Sequence, residues 1–289
     1  MRIIDMECSI SGLKNETAAP ADPAPRATGR AGYGMANYGR IFKSRAEGSP
    51  REAAVPVADL IAKTSGLGVE KSVVFGVSND QQAEILEGFP DRFLGLARLS
   101  AWSGMAGVRE LEFRVREQGF RALGVSALVD KLPAGDRRYY PLYGKAAELG
   151  VPVRIYSSMS YANDTPYDLG HPRNLDQIAI DFPELKIIGG LGGWPWVNEM
   201  VALVRRHPNL HLDTSAHRPK YFAETGTGWD MLMRFGNSLI QDKVLVGLSA
   251  VLIGQSYETL IQEYLDLPLK DAVKEKWLYG NAARLFELD

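Results

Sequence analysis

Cysteine is nearly missing from this chain. Cys8 is the one example among 289 residues, and histidine occurs four times. A lone cysteine excludes an intrachain disulfide framework and a thiolate zinc cluster. An excess of charge of one sign is missing too: 33 basic against 35 acidic residues leave a formal net charge of −2. Neither nucleic acid nor an anionic membrane is therefore expected as a partner. No apolar run approaches the ~20 residues of a membrane span. The opening MRIIDMECSI sets acidic residues inside its apolar run and has no small-residue cleavage pattern. A secretory signal is not expected, and the cytoplasm is the expected compartment. No Gly-rich phosphate turn follows this first run, which counts against a doubly wound nucleotide-binding sheet.

What is present is an ordinary core-forming composition, 45% hydrophobic and 24% charged, enough for one large α/β domain over 1–289. The organising stretch is Leu185 to Lys220, where an apolar run, a Gly/Trp-rich turn, a helical pattern and a period-two run follow one another. Strand, helix and strand in so few residues imply a right-handed parallel crossover. Seven other β-like runs join Lys186–Gly190: Arg2–Met6, Lys71–Val77, Phe93–Leu99, Ala122–Ser126, Pro152–Tyr156, Leu210–Thr214 and Lys243–Gly247. Amphipathic helices are expected at Ala106–Glu117, Tyr139–Leu149 and Asn174–Asp181. Eight βα units in a chain this long fit a (β/α)8 TIM barrel better than an eight-stranded open sheet.

The stretch 10–50 is out of proportion, rich in Ala, Pro and Gly with little helical pattern. It reads as a solvated excursion or as a lid, since it leaves the first strand at the face where barrel active sites lie. As a lid it would offer Tyr38 and Arg40, with Arg26, Arg30, Tyr33 and Lys43, to an anionic substrate.

DFPELKIIGG, GWPWVNEMVAL, HPNLHLDTSAHRPKYF, DKVLVG, the closing GNAARLF and the opening IID together resemble the amidohydrolase-related family. This is the branch of the amidohydrolase superfamily holding aminocarboxymuconate-semialdehyde and resorcylate decarboxylases. The resemblance implies a barrel, with dimerisation common, and a divalent metal at the strand ends. The family's ligand places, however, are occupied by other residues. Glu7 and Ser9 stand where Asp-x-His-x-His puts histidines. Tyr156 ends the fifth strand, Leu191 takes the histidine place of Gly-Gly-His-x-Gly, and Ser249 the acid or amide place of the eighth strand. Leucine cannot ligate, and Glu7 and Cys8 cannot both face inward. Zinc or manganese held in the family manner is not expected, and no cofactor is assigned.

The histidines do not rebuild a metal site. His207 and His211 fall at the wrong end of the barrel, as a surface or helix-end residue and a strand-opening residue, and His171 caps a helix. His217 alone is well placed. Glu7 would be a partly buried acid or base, or a salt-bridged structural carboxylate. Asp213 reads as a base or an acceptor for backbone donors. Alternation puts Arg154 in phase with Tyr156, so both face inward or neither does. An inward arginine needs an anion, either a core carboxylate such as Asp5 or a substrate. Arg98 is a second carboxylate clamp. Of Trp194 and Trp196, one is expected in the pocket and one in packing. Ser158, Ser215 and Ser249 make the rim hydroxyl-rich, and Cys8 reads as a small core residue.

These residues point to a metal-independent enzyme acting on a small oxygenated or aromatic acid. Its reaction would be lactone or amide hydrolysis, decarboxylation or isomerisation, with Glu7, His217 and Asp213 as acid/base groups. Arg98, Arg154, Tyr156, Trp194 and Ser249 would hold the substrate. The alternatives are a barrel that binds a ligand or partner without catalysis, and, more weakly, a hydrolase with an atypical metal site of Glu7, Asp213 and His217.

Overall fold

The structure, a computed structural model, describes residues 1–13 and 54–288. All eight expected strands form. They are β1 (Ile3–Ser9), β2 (Val69–Phe75), β3 (in two halves, Phe93–Leu94 and Leu96–Arg98), β4 (Ala122–Val125), β5 (Val153–Ile155), β6 (Ile187–Gly189), β7 (Leu210–Asp213) and β8 (Val244–Leu245). Each is parallel to its neighbour in chain order. The ring is completed where Met6 N donates to Val246 O at 2.9 Å and Ser249 N to Glu7 O at 3.2 Å. The fold is thus the TIM barrel that the eightfold period implies. β3 breaks at Gly95, where a Cβ would lie 2.6 Å from Leu86 Cδ1 and 2.9 Å from Phe120 Cγ. The helix–strand packing leaves no room there for a side chain.

The expected helices lie at Gly104–Gln118, Tyr140–Glu148 and Asn174–Asp181, and the organising unit supplies Val197–Arg206. Apolar residues at helical spacing (Val197, Met200, Val201, Val204) bury that last helix against the sheet. Among the described residues no helix is long and apolar enough to cross a membrane.

Two apolar layers result. Ile3, Cys8, Val74, Val153 and Ile155 face the helices. Ile4, Met6, Val73, Leu96, Ile188 and Leu245 fill the barrel interior, joined by Ala282 and Phe286 near the chain's end. The alternation on β1 does not run through: Ile4 and Met6 face in, yet Cys8 faces out. Asp5 pairs with Ser72 and Cys8 with Val74, so β1 carries an extra residue between them. This bulge matters for the mouth, because bulges re-aim side chains.

Candidate active site

Glu7 sits in the bulge, and there it turns towards the barrel axis while Cys8 turns away. Its carboxylate meets Arg154 from β5, whose Nη2 donates to Glu7 Oε2 at 2.8 Å. The same guanidinium takes Asp213, the last residue of β7, on its side edge. Nε donates to Oδ2 at 2.6 Å and Nη2 to Oδ1 at 3.2 Å. Two-point pairing of this kind is directional as well as strong. Arg154 is 7% exposed and Asp213 fully buried. The Phe75 ring centroid lies 4.9 Å from the guanidinium carbon. Gly190 makes room on the β6 side: a Cβ there would stand 3.4 Å from Arg154 Cζ.

The inward placement of Arg154 follows from its phase with Tyr156, but the expected partner Asp5 is a correction. Asp5 lies before the bulge, out of phase with Ile4 and Met6, and its Oδ1 accepts from Glu7 N at 3.0 Å and Leu248 N at 2.7 Å. Asp213 is both partner and backbone acceptor, since its Oδ1 also receives Leu191 N at 3.1 Å and Ser215 N at 3.0 Å. Leu191 and Ser249, two of the residues expected in the ligand places, both have left-handed backbones, with φ of 62° and 46°. Non-glycine residues there are strained and gather at functional sites. Ser249 ties the two loops together: its Oγ accepts from Ala216 N at 2.9 Å.

Burial raises the carboxyl pKa of Glu7, opposed by the charge of Arg154 and reinforced by that of Asp213. Burial likewise lifts Asp5 to about 7. Arg154 stays charged, because two carboxylates outweigh its desolvation.

A cleft of about 180 Å³ opens at the ends of β2 to β5. Arg154 forms part of its lining, with Arg98, Ser100, Ser126 and Tyr156 among its polar groups and Phe75, Leu96 and Val125 among its apolar ones. Arg98 is fixed through Nη2 to Val77 O and through its backbone to Asn79. Tyr156 donates to Met159 O at 2.8 Å. Sequence reasoning missed Asp130, also in the lining. It accepts from Ser100 Oγ at 2.6 Å, Ala101 N at 2.9 Å and Tyr139 Oη at 2.6 Å, and so sets the loop after β3. Ser126, ending a strand run, was the legible signal on that side.

The other anticipated residues lie elsewhere on the mouth. Leu191 and Gly192, both left-handed, lie in the Gly/Trp turn after β6, and neither tryptophan lines the cleft. Trp194 stacks on Tyr161 at 6.3 Å and 10°, and Trp196 packs on His171 at 4.3 Å. His217 lies 5.9 Å from Trp194 and 5.0 Å from Trp229 between ring centroids. Its Nε2 has no partner among the described residues, and burial lowers its pKa to about 4. His171 Nδ1 accepts from Arg173 N at the start of its helix. His207 ends a helix but is 7% exposed rather than superficial, 2.6 Å from Asp176. Cys8 is buried, 3.7 Å from the Tyr257 hydroxyl, and burial raises its thiol pKa. Tyr38, Arg40 and the lid expected over 10–50 lie outside the described residues, apart from the first positions of that stretch.

The donor set does not fit a divalent cation. Glu7 and Asp213 are bonded to a guanidinium, Leu191 offers no lone pair, and His217 is turned among tryptophans. Among the described residues no three His, Cys, Asp or Glu side chains are arranged to hold a metal ion.

Residues 44–288 match the sequence model of a family described as amidohydrolase. A search of curated proteins gave no match. Of the solved structures, a TIM-barrel protein from Bordetella bronchiseptica is 22% identical, with a TM-score of 0.73 and 99% of each chain covered. A 5-carboxyvanillate decarboxylase from Novosphingobium aromaticivorans, solved with manganese, is 15% identical over 99% of this chain and 97% of its own, with a TM-score of 0.68. A 2,6-dihydroxybenzoate decarboxylase from Rhizobium is 18% identical over 99% and 98%, with a TM-score of 0.67.

Proposed function

The chain belongs to the amidohydrolase family, and from that premise we propose a metal-independent enzyme acting on a small oxygenated or aromatic carboxylic acid. The observation that carries this reading is the cleft at the strand ends with the guanidinium of Arg154 in its lining. A cation fixed by two carboxylates is a preorganised electrostatic stabiliser, needing no rearrangement as negative charge develops on a bound acid. Glu7, with its raised carboxyl pKa, serves as the group that gives or takes the proton. The apolar walls from Phe75, Leu96 and Val125 exclude water around the reacting carbon. Decarboxylation is the favoured reaction, because two solved relatives are described as decarboxylases of aromatic acids. Hydrolysis of a lactone or amide, and isomerisation, use the same groups.

The test combines a panel of phenolic acids, other small carboxylic acids and lactones, read by thermal shift and turnover, with the variant Glu7→Gln. Turnover of one compound that Glu7→Gln abolishes while binding survives is the expected result. An unchanged rate in Glu7→Gln removes Glu7 from the chemistry. A second reading, a barrel that binds a small acid without transforming it, draws on the fact that Glu7 and Asp213 are both occupied by Arg154. Thermal shifts without turnover across the panel would favour it.

A further inference from the structure

Resting on the placement of an acid in this cleft, we propose that the site takes up a carboxylate together with one proton, the carboxylate docking on Nη1 of Arg154 and the proton passing to Glu7. The guanidinium has five N–H groups. Those on Nε and Nη2 serve Asp213 and Glu7. Nη1 has no hydrogen-bond partner among the described residues. The side chain is 7% exposed and yet lines the cleft. A nearly buried cation with spare donors at the edge of a cavity is a carboxylate anchor.

The count of charge then requires the proton. Glu7 and Asp213 already place two negative charges on one guanidinium. A docked carboxylate would make three, in surroundings where like charges are costly. A proton taken from solvent restores the original balance, with no bond in the ligand made or broken. Asp213 is poorly placed to receive it, since Oδ2 accepts from Nε and Oδ1 from Leu191 N, Ser215 N and Nη2. Each of those donors favours the anion. Glu7 accepts one N–H from Arg154 and a hydrogen bond from the Ser249 hydroxyl. The charged groups facing it are Arg154 from β5, Asp213 from β7 and Asp5 on its own strand. Arg154 is the one cation among them, and the ligand competes with Glu7 for its charge. Asp5 lies out of phase with the interior residues Ile4 and Met6, and two backbone N–H groups hold its Oδ1. Glu7 thus becomes a loaded acid as the ligand arrives, which weakens binding as the pH rises.

Calorimetric titration of the full chain with benzoate near neutral pH, in phosphate and in Tris, measures the proton directly through the difference in buffer ionisation heat. The expected result is uptake of about one proton per benzoate, lost in Glu7→Gln while benzoate still binds. Benzamide, isosteric but uncharged, is expected to bind at least about tenfold more weakly. Benzoate binding without proton uptake, or uptake persisting in Glu7→Gln, overturns the transfer to Glu7. Equal affinity for benzamide overturns the Arg154 anchor. These outcomes leave the acid-binding cleft standing. If benzoate does not bind at all, the cleft reading fails and the inference fails with it. The buffer comparison on the unaltered protein needs no variant, so absence of proton uptake there overturns the proposal even if Glu7→Gln is unstable.

Discussion

The mouth of the barrel has a charged half and an aromatic half, and they treat buried polarity in opposite ways. On the first, β1, β5 and β7 bring Glu7, Arg154 and Asp213 into mutual contact, and both carboxylates pair with the one guanidinium. On the second, the loops after β6 and β7 bury His217 near Trp194 and Trp229, with Nε2 unpartnered among the described residues. Two carboxylates keep Arg154 charged, whereas at His217 burial outweighs the charge of Asp213 and a backbone hydrogen bond to Leu191 and leaves the ring neutral. The difference teaches where proton chemistry belongs in this molecule. Glu7, the proposed proton carrier, lies in the hydrogen-bonded half, and His217, the other acid/base candidate of the sequence, lies in the aromatic one.

Removal of the cation carries the largest expected effect. Arg154→Met leaves Glu7 and Asp213 facing each other without a counter-charge, and breaking a buried pair this way costs about 3–5 kcal/mol. Chemical denaturation at neutral pH should show that loss; a change under about 1 kcal/mol would mean the carboxylates find other partners. The aromatic half should respond to volume instead. Trp229, 3% exposed and 4.4 Å from Phe222 between ring centroids, should lose about 3 kcal/mol as Trp229→Ala, with little change in pH dependence.

The two halves should also show opposite pH slopes. The lowered pKa of His217, about 4 against an ordinary 6.5, means the unfolded state binds more protons between those values. Its stability contribution is therefore full above about pH 6.5 and lost by about pH 4. Asp5, raised from 3.8 to about 7, does the reverse. Its contribution is full below about pH 4 and lost as pH rises through about 7. Denaturation profiles across this range should flatten on the acid side in His217→Phe and on the neutral side in Asp5→Asn. Identical profiles for the two variants would dissolve the distinction between the halves.

Much of the barrel was legible in the sequence because period-two runs and helical spacing are local signals. All eight strands lie within the expected runs or overlap them, and Asn174–Asp181 holds to the residue. The phase of Arg154 with Tyr156 was legible for the same reason. Its partners were not. Asp5 and Glu7 exchange faces through a bulge that nothing in MRIIDMECSI announces, and Asp213 reaches Arg154 only when β5, β6 and β7 lie side by side. That Trp194 lies outside the cleft was not legible, because its direction depends on left-handed turns at Leu191 and Gly192, and Leu191 is not a residue that signals one. Asp130 was invisible because its three donors come from two segments on either side of it, Ser100–Ala101 and Tyr139.

The fixed guanidinium at the barrel mouth is proposed to let the site work without a divalent ion. The most direct measurement is elemental analysis of active protein purified without chelator and dialysed against micromolar manganese and zinc. Turnover with substoichiometric metal, unaffected by added chelator, is the expected result. Stoichiometric manganese or zinc, with activity that disappears on chelation and returns on its replacement, would contradict it.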